Sequence, residues 1–348
     1  MKSILVTGGA GFIGANFVHY MLQNHDYHIY NVDALTYAGN LENLEAVANH
    51  KNHTFLKGDI CNQALIFKVF EDYDIDTVVN FAAESHVDRS ITHPEVFLNT
   101  NVRGTQVLLE EAKRHWSREP ENKHCRDYRE GVKYIQVSTD EVYGALGATG
   151  MFTETTSLSP NSPYSASKTS ADLFARAYHE TFGLPINITR CSNNYGPYQF
   201  PEKLIPLMIN NCNCDKPLPV YGDGMQIRDW LHVSDHCSAI DTVLHKGKIG
   251  EIYNVGGNNE KANIEIVKLI IKTLGKSADL ISYVQDRPGH DRRYAIDNTK
   301  ITTQLGWAPA YTFERGMEET IRWYLDHKTW MEHITSGSYQ EYYKKMYL

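Results

Sequence analysis

The chain has 348 residues, of which 42% are hydrophobic and 22% charged, and its net charge is −8 at pH 7. This acidic balance gives no indication of nucleic-acid binding, and no apolar run approaches the roughly 20 residues that a membrane-spanning helix needs. The length predicts two lobes, because a single hydrophobic core rarely grows beyond about 250–300 residues.

The N-terminus and the cysteines both indicate a reducing compartment. Met1-Lys2-Ser3 runs directly into an apolar segment, so no signal peptide is predicted and a cytoplasmic protein is expected. The cysteines show no paired spacing and are expected to be free thiols. They are Cys61, Cys125, Cys191, Cys212, Cys214 and Cys237. Cys212-Asn213-Cys214 is too sparse for a zinc site, and no metal site is predicted.

The first unit of the chain has the pattern of a dinucleotide-binding loop. An apolar strand at residues 4–7 is followed by Gly8, Gly11 and Gly14, and then by a helical pattern. Glycines at this spacing let the backbone approach a pyrophosphate at a helix N-terminus, where N–H groups and the helix dipole favour negative charge. An isolated glycine cluster can also be an ordinary turn, but the flanking strand and helix favour the nucleotide site.

The next two units carry acidic residues at strand ends. Asp33 follows the strand at residues 28–32 and lies nineteen residues after Gly14, where a carboxylate accepts from the ribose hydroxyls of adenosine. Ala34 follows instead of arginine, so NAD is preferred over NADP. Asp59 can cap the next helix. The family resemblance described below also implies that it contacts the adenine, and we expect it to do both.

The region after the fourth strand combines small and polar residues. Ala82 and Ala83 allow close approach to a dinucleotide, whereas His86 is expected to be a structural group and not a catalyst. A long amphipathic helix is predicted over residues 94–116. The charged segment 117–131 is predicted to be a solvated insertion.

A pair of neighbouring carboxylates follows the central strand. Residues 134–137 alternate in polarity and lead into Ser138, Thr139, Asp140 and Glu141. In an open α/β sheet, ligands bind at this carboxyl end of the strands. Two desolvated carboxyl groups repel one another, so their pKa values are pushed apart. One can then act as an acid and the other as a base, as elimination of water requires.

A tyrosine and a lysine stand four residues apart in the next helix. Ser162-Pro163 predicts the start of that helix, which places Tyr164 and Lys168 on one face. A lysine ammonium beside a phenol favours the phenolate and should lower the tyrosine pKa from its usual value of about 10. Alone, this pattern is typical of many amphipathic helices. Its combination with the glycine loop and the strand-end Ser138-Thr139 favours catalysis.

Together these motifs resemble the extended short-chain dehydrogenase/reductase family. The segment Thr139-Asp140-Glu141-Val142-Tyr143-Gly144 resembles its nucleotide-sugar 4,6-dehydratases. The resemblance implies an α/β fold, with a doubly wound parallel Rossmann sheet and a smaller mixed α/β substrate-binding lobe. Residues 1–197 would form the NAD-binding domain, completed by segments near 228–256, and residues 198–348 would mainly bind the nucleotide sugar. It also implies a homodimer.

The family's chemistry would make the chain a hydro-lyase acting on a dTDP-hexose. Tyr164, assisted by Thr139, would deprotonate the 4-hydroxyl during oxidation at C4. Glu141 would take the C5 proton, Asp140 would protonate the departing 6-hydroxyl, and hydride would return to C6 in deoxysugar (e.g. rhamnose) biosynthesis. Lys168 would lower the tyrosine pKa and hold the nicotinamide ribose. An epimerase or decarboxylase of the same fold and a non-catalytic NAD sensor remain alternatives, and the thymidine base rests on the resemblance alone.

The resemblance also implies two sets of binding residues. The NAD-binding set is Gly8, Gly11, Phe12, Ile13, Gly14, Asp33, Leu35, Thr36, Asp59, Ile60, Ala82, Ala83, Thr100, Ser138, Tyr164, Lys168 and Asn194. The substrate-binding set is Ser85, Thr139, Asn193, Lys203, Leu204, Pro219, Tyr221, Arg228, Asn263, Arg287, His290 and Tyr347. Arginine and tyrosine suit a nucleoside diphosphate, although Arg228-Asp229 could be a surface ion pair and Asn193-Asn194 could cap a turn.

Overall fold

The computed structural model of the chain describes residues 2–286 and 289–336. Its centre is a seven-stranded sheet in which every neighbouring pair of strands is parallel. From edge to edge the strands are β10 (Ile252–Val255), β6 (Ile186–Cys191), β5 (Lys133–Thr139), β4 (Thr77–Asn80), β1 (Ser3–Thr7), β2 (His28–Asp33) and β3 (His53–Lys57). The chain proceeds outward from β1 in both directions, which confirms the predicted doubly wound Rossmann fold.

Helices cover the sheet, because strands buried on both faces need an apolar layer on each side. In chain order they are α1 (Phe12–Asn24), α2 (Gln63–Tyr73), α3 (Val87–Thr92), α4 (Pro94–Phe97), α5 (Thr105–Trp116), α6 (Pro163–Phe182), α7 (Leu204–Asn213), α8 (Val233–Lys246), α9 (Asn263–Leu274), α10 (Thr299–Leu305), α11 (Phe313–Asp326) and α12 (Lys328–Ile334). One face packs on α1 and α8, and the other on α2, α5 and α6.

A smaller lobe has its own sheets and core. β7 (Asn193–Tyr195), β9 (Ile227–His232) and β11 (Glu260–Ala262) form one sheet, and β8 (Leu218–Tyr221) pairs with β12 (Ile281–Val284). Both pack against α7, α9, α11 and α12. Within the region 228–256, β10 pairs with β6 at the edge of the central sheet, whereas β9 pairs with β7 and β11. The division at residue 197 stays a prediction.

The helix predicted over residues 94–116 contains a π-helical turn at Leu98–Gly104, between α4 and α5. A Cβ at Gly104 would lie 2.4 Å from Ile60 Cδ1, so glycine permits the helix to approach the loop after β3. Such turns often occur at functional sites. Thr100 in this turn borders the large cleft described below.

The segment 117–131 is not uniformly solvated, so that prediction is partly wrong. Tyr128 and Cys125 are buried. The Tyr128 hydroxyl donates to the Phe182 carbonyl at 2.9 Å, and its backbone bridges to Ser117. These contacts fasten the segment to the end of α6.

All six cysteines are free, as predicted. Cys212 is buried within α7, whereas Cys214 is exposed just beyond its end. Among the described residues, the helices are too short or too polar to cross a bilayer.

The start of α6 is held by the predicted Ser162-Pro163 sequence. Ser162 Oγ accepts from the Ser165 amide at 3.1 Å, and Ser165 Oγ accepts from the Ser162 amide at 3.0 Å. This reciprocal capping box satisfies two amides that would otherwise lack partners.

We expect Ser162→Ala to lower the free energy of unfolding by about 1 kcal/mol, because the first-turn amide loses its acceptor. Urea unfolding followed by circular dichroism measures the change. Ser170→Ala is the matched control on the same helix. Its hydroxyl donates to the Ala166 carbonyl at 2.9 Å, which is already within the helix and needs no cap. Equal losses in the two variants would contradict a specific capping contribution.

Candidate active site

A large cleft opens at the carboxyl ends of the central strands, with the glycine loop at one side and β5 at the other. All but one of the residues predicted to bind NAD border it: Gly8, Gly11, Phe12, Ile13, Gly14, Asp33, Thr36, Asp59, Ile60, Ala82, Ala83, Thr100, Ser138, Tyr164, Lys168 and Asn194. Leu35 does not border the cleft, and its contact with NAD stays a prediction. Its backbone has a positive φ of 54° and its amide donates to Asp33 Oδ1 at 2.8 Å, which turns its side chain toward the apolar core.

The glycine loop leaves backbone exposed to the cleft. A Cβ at Gly14 would lie 2.3 Å from the Gly8 carbonyl oxygen, and one at Gly8 would lie 2.7 Å from the Ala82 amide nitrogen. Gly11 precedes α1 without any side-chain cap, and the first turn of α1 carries no acidic residue. The helix N-terminus therefore presents bare N–H groups, which suits a pyrophosphate.

Asp33 ends β2 with both carboxylate oxygens engaged by backbone. Oδ2 accepts from the Ala10 amide at 2.9 Å and Oδ1 from the Leu35 amide at 2.8 Å. Burial raises the pKa of Asp33, and these two hydrogen bonds oppose the rise. Each oxygen has a second lone pair, so the carboxylate can still accept from ribose hydroxyls.

Thr139, Asp140 and Glu141 lie where β5 passes into a 3₁₀ turn at Asp140–Tyr143. Thr139 Oγ1 donates to Asp140 Oδ1 and accepts from the Glu141 amide, both at 3.3 Å. Asp140 is only 1% exposed, whereas Glu141 is half-buried. The short turn therefore directs two carboxyl groups of different burial toward one space.

The charge of Glu141 affects three buried neighbours. The pKa values of Asp140, Tyr164 and Tyr294 are all raised, first by burial and next by the nearby Glu141. Burial and the neighbouring charge thus both favour the protonated form of Asp140. The site places a proton donor directly beside a second carboxyl group.

Tyr164 and Lys168 share the cleft-facing side of α6. The prediction that the Tyr164 pKa is lowered is wrong for the protein without ligands. Burial and Glu141 raise the pKa of Tyr164 well above its usual value. Burial also lowers the pKa of Lys168, whose ammonium donates to the Val137 carbonyl at 2.8 Å. Any activation of Tyr164 must overcome these two effects.

A second cavity adjoins the first and extends into the small lobe. The residues predicted to bind substrate that border this second cavity are Asn193, Lys203, Leu204, Pro219, Tyr221, Arg228, Asn263 and His290. Glu141 and Asn193 border both cavities, while Ser85 and Thr139 border the first. Arg287 and Tyr347, also predicted to bind substrate, lie outside the described residues.

Arg228 and Asp229 do not form a surface ion pair, because both are buried. The Asp229 carboxylate accepts from the Gly257 and Asn259 amides at 2.9 and 2.7 Å. The Arg228 guanidinium lies 4.4 Å above the Tyr294 ring, beside the cavity. The guanidinium also donates to the Ile227 and Asp291 carbonyls at 2.8 and 3.0 Å, and these contacts hold it at the edge of the cavity.

The paired asparagines differ in their protein contacts. Asn194 donates to the Ser192 carbonyl and bonds His236 through Oδ1, both at 2.9 Å. Asn193 Oδ1 is buried and, among the described residues, has no hydrogen-bond partner. Asn193 therefore retains an acceptor for a ligand, while Asn194 is held in one orientation.

Sequence reasoning missed Tyr37 and Glu202. The Tyr37 hydroxyl donates to Glu202 Oε1 at 3.0 Å, and the Arg89 guanidinium lies 3.7 Å above the Tyr37 ring. Glu202 borders both cavities, and burial raises its pKa. This contact joins the loop after β2 to the segment before α7. A glutamate in a loop gives no sequence signal that such a partner exists.

The comparisons with known proteins agree with one another. Residues 5–320 match the family model described as GDP-mannose 4,6 dehydratase. A dTDP-glucose 4,6-dehydratase of Xanthomonas campestris is 54% identical, with 98% of each chain covered. The Bacillus anthracis dTDP-glucose 4,6-dehydratase in complex with NAD is 54% identical, with a TM-score of 0.86 over 96% of this chain and 100% of that one. The Streptomyces venezuelae enzyme, solved with NAD and dTDP, is 45% identical, with a TM-score of 0.89 and the same coverage.

The raised pKa of Asp140 predicts how the stability of an Asp140→Asn variant, relative to the parent, changes with pH. An aspartate with a raised folded-state pKa stabilises the fold most below its unfolded pKa, and loses that contribution as the pH rises through the folded value. We therefore expect Asp140→Asn to be more stable than the parent, with a gain that grows from pH 5 to pH 8. Urea unfolding across this range measures it, with Asp72→Asn on the exposed side of α2 as control. A gain that is constant with pH would contradict the raised pKa.

Proposed function

The chain belongs to the GDP-mannose 4,6 dehydratase family, and from this membership we propose that it is a hydro-lyase that converts dTDP-glucose to dTDP-4-keto-6-deoxyglucose. The observation that carries the mechanism is the buried Asp140, whose pKa is raised, beside Glu141, which borders both cavities. One cavity suits a dinucleotide and the other a nucleotide sugar. The product would enter deoxysugar synthesis, such as that of rhamnose, in the cytoplasm.

The residues of the first cavity fit NAD. The glycine backbone and the N-terminus of α1 would hold the pyrophosphate, and Asp33 would accept from the adenosine ribose. A 2′-phosphate would meet the Asp33 carboxylate with only Ala34 beside it in sequence, which disfavours NADP. When bound, NAD supplies the redox chemistry: it would accept hydride from C4 and return hydride to C6.

Tyr164 would remove the proton from the sugar 4-hydroxyl, with Thr139 beside it. The Thr139 hydroxyl lowers the Tyr164 pKa, although burial and Glu141 outweigh it. Lys168 lies one helical turn further along and, through its ammonium, favours the phenolate. Its hydrogen bond to Val137 orients it toward the cleft.

Asp140 and Glu141 would divide the elimination between them. A carbonyl at C4 acidifies the C5 proton, and Glu141, the more exposed of the pair, would accept it. Asp140, held protonated by burial, would donate to the departing 6-hydroxyl. A single elimination requires the two carboxyl groups to begin in opposite protonation states, and the burial of Asp140 favours this difference.

The second cavity would bind the nucleoside diphosphate. Arg228 and Lys203 supply cations, and Tyr221 supplies an aromatic face. Asn263 Oδ1 is buried without a hydrogen-bond partner among the described residues, and its free lone pairs suit a ligand N–H or O–H donor. The thymidine preference rests on the relatives.

A homodimer is also proposed. Exposed apolar side chains lie together on the helical face formed by α3, α4, the π turn and α6. They are Ile91, Val96, Leu98, Leu173 and Phe174, and the elements that carry them all contact α6 or belong to it. An apolar face of this kind suits an interface with a second copy. A monomeric mass in sedimentation equilibrium at micromolar concentration would contradict this proposal.

The activity is tested by incubating the purified protein with dTDP-glucose, UDP-glucose and GDP-mannose. We expect loss of one water by mass and a 4-keto product, fastest with dTDP-glucose. Epimerisation without mass change would favour the epimerase alternative. NAD binding without turnover of any donor would favour the non-catalytic sensor.

The division of labour is tested by the double variant Asp140→Asn with Glu141→Gln. We expect dehydration to fall by at least about a hundredfold, because both proton transfers are lost. Reversible oxidation at C4 should persist, since Tyr164 and Lys168 remain. Isotope exchange at C4 and mass spectrometry separate these steps, and unchanged dehydration would contradict the acid and base assignments.

A further inference from the structure

A group of metal-ligating side chains lies at the carboxyl-terminal end of α1, away from the glycine loop. His25 caps that helix, while Asp241 and His245 lie one turn apart near the end of α8. His25 Nε2 is 2.9 Å and His245 Nδ1 is 3.0 Å from the same oxygen, Asp241 Oδ1. The three ligand atoms all lie within 4.8 Å of one another.

Two of these atoms are buried without a conventional partner. His25 Nε2 and Asp241 Oδ1 are shut off from water, yet among the described residues neither makes a hydrogen bond. The two atoms lie 2.9 Å apart, near enough for both to reach one cation. An imidazole nitrogen and a carboxylate oxygen are both common metal ligands.

The surrounding groups would support such a cation. The Tyr27 hydroxyl lies 2.8 Å from His245 Nε2, so that nitrogen can donate to Tyr27 when Nδ1 acts as the ligand. The Tyr27 ring also stacks on His25 with centroids 4.8 Å apart, and Tyr20 donates to Asp241 Oδ2 at 3.4 Å. Each ligand is thus held by a neighbour.

The C-terminal ends of two helices add an electrostatic field that favours a cation at this cluster. His25 follows the last residue of α1, and His245 is the penultimate residue of α8. The C-terminus of a helix carries partial negative charge, which stabilises cations within its last turn. Two such ends meet at this cluster.

We propose that His25, Asp241 and His245 form a site for a divalent transition metal of the Zn²⁺ type, completed by water. Two imidazoles and one carboxylate suit Zn²⁺ better than Mg²⁺ or Ca²⁺, which prefer oxygen ligands. Tetrahedral bonds of about 2.0–2.1 Å require donors about 3.3 Å apart, which small side-chain rotations from the observed positions provide. His245 Nδ1 must give up its contact with the Asp241 carbonyl, 2.8 Å away.

Such an ion would link α1 to α8 on one face of the central sheet. The link is independent of the proposed catalytic activity, because the ligands lie outside both cavities. Its direct effect would be to stabilise the folded chain, since a ligand that binds only the native state raises the melting temperature.

Zn²⁺ titration of untagged, EDTA-stripped protein by isothermal calorimetry tests the site. We expect one strong Zn²⁺ per chain and a rise in melting temperature. Asp241→Asn and His245→Gln should each weaken binding by at least about tenfold. His245 is partly exposed, so His245→Gln should fold even if a change at the better-buried Asp241 does not.

Two control variants distinguish this site from other metal-binding groups. His333→Ala removes an exposed histidine that pairs with Glu42 at 2.9 Å, and should leave Zn²⁺ affinity unchanged. Cys214→Ser removes an exposed thiol and should also have no effect. The proposal is overturned if affinity is unchanged in His245→Gln, if Cys214→Ser abolishes binding, or if no Zn²⁺ binds at 100-fold excess over protein.

Discussion

The proposed chemistry depends on a carboxyl group that is buried beside another carboxyl group. Asp140 is almost completely removed from water, and Glu141 follows it in the same short turn. Burial and the neighbouring charge both disfavour ionisation of Asp140, so the pKa of this carboxyl group is raised. The same charge raises the pKa values of Tyr164 and Tyr294. Glu141 is therefore the electrostatic centre of the site.

A buried polar network keeps this centre in place. Arg190 on β6 bonds Asp172 on α6 at 2.9 Å and the Tyr143 hydroxyl at 3.0 Å. Tyr143 in turn donates to Asn254 on β10 at 2.7 Å. The network ties the turn after β5 to α6, and the Asp172 charge partly offsets the effect of burial on the Lys168 pKa. Fold and site are thus linked through groups that would be costly to leave unpaired.

Local patterns predicted much of this structure. The glycine loop, Asp33, the Ser162-Pro163 helix start and the strand before Thr139 each depend on residues close in sequence, where geometry follows from backbone chemistry. Sequence patterns are least informative where distant segments meet. The Tyr164 pKa rises because the fold buries the phenol and brings Glu141 near it. The tertiary fold alone brings together Tyr37 with Glu202, and His25 with Asp241 and His245. No local sequence pattern indicates these contacts.

The proposed mechanism depends above all on the protonation state of Asp140. Carbon-13 NMR of protein labelled at aspartate Cγ, assigned by comparison with Asp140→Asn, follows this carboxyl group through a pH titration. We predict that the Asp140 signal remains that of the protonated acid near neutral pH, and that the Asp140 pKa is lower in Glu141→Gln. A signal of an ionised carboxylate throughout pH 5–8 would contradict the role of Asp140 as the acid.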